Sequence, residues 1–176
     1  MGLSLCAGEI YKVPVDDYAP WKIVDGAQVV GGIDIALTNA LFAKIGVEPE
    51  YTVYPWARCL GNMKNGFSDF ISGVTKKPER EEYMSYLSIP YKTKSVKAFY
   101  VLKGRGSAIQ KLEDLEGLTV GLLRGSKLFD GFDNNEKISK YELNSEPQGF
   151  VMLAGGRIDA FVTTLENGRY LLSKVD

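Results

Sequence analysis

The chain has no histidine, and only two cysteines, Cys6 and Cys59, among its 176 residues. Without imidazole it lacks the usual general base near neutral pH and the commonest metal ligand, and two distant cysteines do not make a zinc site by themselves. Neither triad chemistry nor metal chemistry is expected, and no cofactor is implied. Whether Cys6 and Cys59 meet is not readable from sequence, and both are read as free thiols. Neither sign of charge predominates: Lys+Arg 21 against Asp+Glu 22 gives a formal net charge of -1. There is therefore no basic field to gather nucleic acid or anionic lipid. Nor does any apolar run approach the roughly 20 residues that a membrane helix needs.

What is present is a 45% hydrophobic chain long enough for one medium domain or two small lobes. Its most informative stretch is Gly66-Phe-Ser-Asp69-Phe-Ile-Ser72-Gly73-Val-Thr75-Lys-Lys-Pro78-Glu-Arg80. Phe67, Phe70 and Ile71 read as a short buried strand, Gly73 as a turn, and Thr75 as the cap of a helix with Pro78 in its first turn. A helix start with Arg80 one turn on suits an anion, a carboxylate above all. The same residues also read as a plain strand, loop and surface arginine paired with Glu79 or Glu82, and this stretch alone does not separate the two.

Elsewhere, Ile10–Val15 alternates as a first strand and Asp16-Asp17-Tyr18-Ala-Pro20-Trp21 forms the loop leaving it. Ile33, Leu37, Ala40, Leu41 and Ile45 recur at helical spacing before Gly46, predicting a core-facing helix. Val47, Tyr51 and Val53 mark a strand, and Trp56, Cys59, Leu60 and Met63 a second amphipathic helix. Val96–Leu102 is a strong strand, and Lys103-Gly-Arg-Gly106-Ser has linker composition. These residues set the expected organisation: lobe one over residues 8–102 and lobe two over 103–176. In lobe two, Ile109–Leu115 predicts a short helix and Leu118–Leu123 a buried strand. Arg124-Gly-Ser126-Lys127 then reads as a strand-to-helix junction, and Ser145-Glu-Pro-Gln148 as a capping box. Gly66-Phe-Ser-Asp69 and Gly156-Arg-Ile-Asp159 echo one another, each leading into apolar residues, which implies two similar lobes with structural aspartates.

Tyr18-Ala-Pro-Trp21, Gly32-Ile-Asp-Ile, Tyr54-Pro-Trp56, the Gly66–Arg80 stretch and Pro90-Tyr91 occur in an order that resembles the bacterial extracellular solute-binding proteins of the polar amino-acid type, family 3. The resemblance implies an α/β, two-lobed periplasmic binding protein-like fold of type II that serves an ABC transporter permease. It further implies a ligand site with Arg80 on a carboxylate, Gly73 and Thr75 around it, Tyr18 and Trp56 as aromatic walls, and Ser126 near the carboxylate. Thr164 stands where relatives carry the aspartate for a ligand ammonium. Glu166, two residues on, is the candidate replacement.

Relatives also return from lobe two to complete lobe one, a return that Leu165–Asp176 does not supply. The chain is thus read as a fragment or short member, with self-association through the incomplete lobe a further expectation. Met1–Glu9 reads as sequence left over around a signal peptide, because Leu5 fits a lipoprotein cleavage site poorly. The expected activity is periplasmic capture of a small carboxylate-bearing solute, an amino acid in the first instance, with no bond made or broken. The alternatives are a periplasmic dehydratase of cyclic acids with Glu166 as general acid, or the ligand-sensing domain of a larger receptor.

Overall fold

The computed structural model describes residues 9–106 and 109–174; Cys6 and the leader reading of Met1–Gly8 lie outside them. The chain forms two units: one runs through Tyr54 and resumes at Arg58–Tyr86, and the other comprises Pro55–Ala57 and everything from Leu87 on.

In the first unit β1 (Glu9–Val15) pairs in parallel with β4 (Val47–Val53), Glu9 opposite Val47 and Val15 opposite Val53. A parallel pair needs a crossover. Here the crossover carries the antiparallel hairpin β2 (Ile23–Asp25) and β3 (Gln28–Gly31) and then α1 (Ile33–Ile45). Side chains alternate across a strand, so Tyr11, Val13 and Val15 share a face. With Tyr51, Ile35, Phe42 and Phe70 they form the core of this unit.

The helix expected over Ile33–Ile45 is present, and its Gly46 cap donates to the Phe42 carbonyl. Its buried face is not the expected one: Asp34, Ile35, Thr38 and Phe42 are buried, while Ile33, Leu37 and Ile45 are exposed. The helix offers two apolar stripes. Thr38 settles into the buried one at no hydrogen-bonding cost because its hydroxyl donates to the Asp34 carbonyl at 2.8 Å. α2 (Trp56–Lys64) follows β4, as expected.

The strand expected at Phe67–Ile71 does not form. The segment touches β1 through the N–H groups of Asp69 and Phe70, which donate to the Lys12 carbonyl at 2.9 and 3.4 Å. The Lys12 N–H goes to the Asp69 side chain at 2.8 Å. A carboxylate thus takes the place of a ladder carbonyl, and the ladder stops there. Phe67 is exposed.

The second unit holds a four-stranded sheet in the order β5-β8-β6-β7. β6 (Thr119–Leu123) is parallel to β7 (Ser139–Leu143) and β8 (Ala160–Thr164), and β5 (Lys97–Tyr100) is antiparallel to β8. Every residue of β8 is buried, as a strand with two neighbours and two covered faces requires. Val120, Leu122, Phe132 and Val162 anchor one core, and Leu143, Met152, Leu153 and Phe161 another. The second is covered by α5 (Glu146–Ala154), whose Gly149 lets the Phe161 ring close against it.

This sheet moves the lobe boundary. The strand assigned from sequence to lobe one is β5, which pairs with β8, and the units divide between Tyr86 and Leu87 rather than at Leu102–Lys103. An edge strand's partner lies far along the chain and leaves no local mark. Two local expectations also change. The Ile109–Leu115 helix is a single 3-10 turn, Leu112–Leu115. Ser145 makes no side-chain cap; the Asn144 N–H donates instead to Gln148 Oε1 at 3.3 Å.

Candidate functional site

In the first unit the parallel strands β1 and β4 finish together, and the Tyr54 N–H donates to the Val15 carbonyl at 2.8 Å. Loops beyond the carboxyl ends of strands are where open α/β sheets take ligands. Tyr18 lies in the loop after β1, half-buried and joined to Lys22 by paired backbone hydrogen bonds of 2.9 and 3.0 Å. Inside this loop is a feature the sequence reading missed: Asp16 and Lys22, each 4% exposed, form an ion pair. The Lys22 ammonium also sits 5.8 Å from the centroid of the Tyr18 ring. The signal was an acid at a strand end and a lysine six residues on, but nothing local told of their burial.

Burial pushes the Asp17 carboxyl up, as does the charge of Asp16, against a hydrogen bond from the Val24 backbone that pulls it down. Behind the loop the Cys59 thiol, fully buried, is pushed up to about 12, chiefly by desolvation with Asp16 adding to it. It is a free thiol, and it donates to the Tyr54 carbonyl at 3.5 Å.

Asp34 joins this loop to the next segment. Its N–H donates to the Trp21 carbonyl at 2.8 Å, and its Oδ2 accepts from the Ser72 hydroxyl at 3.2 Å. The approach requires Gly32, at φ 119°, since a Cβ there would lie 2.2 Å from the Trp21 oxygen. Asp34 is 1% exposed and was also missed; the first turn of a helix is an ordinary place for an acid.

Ser72 leads to Gly73, at φ 73° in the left-handed region that favours glycine. Thr75 follows, exposed, and its carbonyl accepts from Arg80 Nη1 at 2.9 Å and from the Tyr86 hydroxyl at 3.1 Å. Thr75 and Arg80 are thereby brought together, with Gly73 two residues before Thr75. Thr75 is not a helix cap, however: α3 (Pro78–Glu81) starts after Lys77 and is a single turn. So short a helix adds little dipole, and any anion would depend on the guanidinium of Arg80, itself only 4% exposed. Trp56 heads α2, is 8% exposed and groups with the second unit.

In the second unit β6 and β8 run parallel, so Ser126 and the Thr164–Glu166 segment leave the same end of one sheet. Ser126 is half-buried in a turn, its N–H donating to the Leu123 carbonyl at 3.0 Å. No helix starts at Ser126 or Lys127; the next helix, α4, spans Asp130–Asp133. Thr164 is buried at the N-cap of α6 (Leu165–Leu172). Glu166 lies in the first turn of α6 and accepts a hydrogen bond from Lys92 at 3.0 Å. Burial raises its carboxyl pKa, but its own backbone N–H, Lys92 and Lys97 outweigh that and hold it below the usual range. Lys97, opposite Thr164 on β5, is pulled down by desolvation, with Glu146 opposing. Among the described residues no cluster of three or more His, Cys, Asp or Glu side chains is placed to hold a metal ion. Among the described residues no helix is long and apolar enough to cross a membrane.

The family model of the bacterial extracellular solute-binding proteins, family 3, matches residues 12–144. The chain belongs to that family. The arginine-binding extracellular protein ArtP of Bacillus subtilis is 32% identical over 111 residues, covering 62% of this chain and 42% of its own length. A probable histidine-binding protein of Neisseria gonorrhoeae is 27% identical over 166 residues, 89% of this chain and 59% of its own. The chain spans about half the length of the curated relatives it matches. An ancestral arginine-binding protein solved with arginine superposes at a TM-score of 0.82 and 26% identity, covering 96% of this chain and 75% of that one. The fold is thus the two-lobed α/β fold of periplasmic amino-acid-binding proteins, and the family setting is extracellular or periplasmic.

Proposed function

We propose that this family 3 protein captures a small carboxylate-bearing solute, an amino acid in the first instance, and presents it to an ABC transporter permease. The observation that carries the reading is Arg80: a guanidinium 4% exposed, steadied on the Thr75 carbonyl beside Gly73, in a family whose members bind amino acids. In this reading Arg80 pairs with the ligand carboxylate, Gly73 and Thr75 hydrogen-bond around it, and Tyr18 and Trp56 contact the ligand body. Ser126, Thr164 and Glu166 are the second unit's ligand contacts. Lys92 pairs with Glu166 and helps hold its carboxyl below the usual range, a shift opposite to the raised pKa a general acid uses, which speaks against a dehydratase with that residue in the role.

The test is a thermal-shift screen of the L-amino acids followed by calorimetry. A ligand at 100 times its Kd adds about 2.7 kcal/mol to stability. Arg80→Ala should weaken its binding by about 2–5 kcal/mol while leaving the far-ultraviolet spectrum unchanged. Full affinity in a folded Arg80→Ala protein would remove the clamp from the reading.

A further inference from the structure

The two-stranded sheet of the first unit has a second face that its core does not use. Side chains alternate along a strand, so with Val13 and Tyr51 turned to the core, Lys12 and its register partner Glu50 point the other way, and Thr52 follows Glu50 on the same side. Arg58 and Asn62 stand four residues apart on one side of α2. All five line one cavity of about 350 Å³, within the range of about 300–1,000 Å³ that small-molecule sites occupy. None of its lining residues is among the candidate ligand contacts named above. The Arg58 guanidinium carbon lies 4.7 Å from the centroid of the Tyr54 ring, which lines the cavity too. Stacking of this kind fixes the plane of the fork and leaves the N–H groups at its edge able to donate. Lys12, Glu50 and Arg58 are exposed and form no ion pair with another described residue. Phe67, expected inside a strand, is instead 68% exposed and lines the same cavity.

We propose that this cavity is a second binding site, for small aromatic carboxylates, with Arg58 on the carboxylate, Thr52 and Asn62 as supporting donors and Phe67 against the ring. It depends neither on Arg80 nor on amino-acid capture. A stacked guanidinium with its edge free is shaped for a planar carboxylate, and an uncovered phenyl ring in the same cavity offers an apolar surface to the ligand's body. The charges decide against a zwitterion. Lys12 stands directly across from Glu50 and offsets it, so an ammonium gains little there and Arg58 remains the uncompensated charge. Glu50 is then a mild opponent of the bound anion rather than a contact for it.

Titration with phenylacetate, followed by nuclear magnetic resonance, tests this. Saturable shifts are expected at the backbone amides of Lys12, Thr52 and Asn62 and at the Arg58 side chain, in Arg80→Ala as in the wild type. Phenylacetamide, which has the same shape without the charge, should bind about tenfold more weakly, and Arg58→Met should cost phenylacetate about as much. Arg58→Lys keeps the charge and loses the fork, so it should fall between Arg58→Met and the wild type; it also carries the test if Arg58→Met does not fold. Glu50→Gln should tighten phenylacetate about two- to fivefold. In the Arg80→Ala protein L-phenylalanine should bind this cavity more weakly than phenylacetate. The inference is overturned by any of four results: no saturable shift at these residues, shifts that vanish in Arg80→Ala, equal affinity for the acid and its amide, or unchanged affinity in both Arg58 variants. Weaker phenylacetate binding in Glu50→Gln, or a preference for L-phenylalanine, overturns the assignment of the ligand class.

Discussion

Asp16 and Lys22 carry opposite charges at positions as shielded as the apolar core around them. Their pairing holds the ends of the loop that presents Tyr18, so stability and the candidate site meet in two side chains. Removing one member leaves a buried charge without its partner, which costs about 3–5 kcal/mol, whereas replacing both with apolar groups of similar volume is often near neutral. Lys22→Met is therefore expected to lower the unfolding free energy by about 3–5 kcal/mol in urea titrations. The double variant Asp16→Leu, Lys22→Met should recover most of that loss. A single-variant cost below about 1 kcal/mol would mean that the pair behaves as an exposed one.

The two aspartates of the internal echo have the same job in the two units. Asp69 accepts the Lys12 N–H at 2.8 Å and returns its own N–H to the Lys12 carbonyl at 2.9 Å. Asp159 treats Thr119 in the same manner, accepting at 2.9 Å and donating at 2.8 Å. Each fastens the segment after a helix to a strand of its own sheet. In the second unit that segment continues as β8; in the first it runs irregularly to Ser72 and Gly73. Asp69→Ala and Asp159→Ala should each cost about 1–3 kcal/mol, the penalty of an unsatisfied backbone donor. Amide exchange by nuclear magnetic resonance should then quicken at Lys12 in the first variant and at Thr119 in the second, with Asn substitutions milder because the amide oxygen still accepts. Unaltered exchange at both amides would show that the aspartates are not what holds these segments.

The units have separate cores, Val13, Val15, Ile35 and Phe42 in one and Phe132, Phe161 and their neighbours in the other. Emptying a core position filled by phenylalanine costs about 3–5 kcal/mol. Phe42→Ala should therefore accelerate hydrogen exchange over residues 9–54 and 58–86 more than over 87–174, and Phe161→Ala should do the reverse. Equal acceleration throughout in both variants would show a single cooperative unit.

The sequence by itself determined what depends on near neighbours: the helix ending at Gly46, the buried strand before Arg124, the echoed aspartates, and the ordered motifs that mark the family. Those motifs also named Thr75 and Arg80, and in the fold the Arg80 guanidinium donates to the Thr75 carbonyl. Only the tertiary structure decided which stripe of α1 turns inward, that Asp69 halts a ladder where a strand was expected, and that β5 belongs to the second sheet. It alone joined Lys92 to Glu166, 74 residues apart, and buried Asp16 with Lys22. Propensity and capping act over a few residues, whereas burial and charge pairing depend on which distant segments share space, and a single chain's local pattern does not encode that choice.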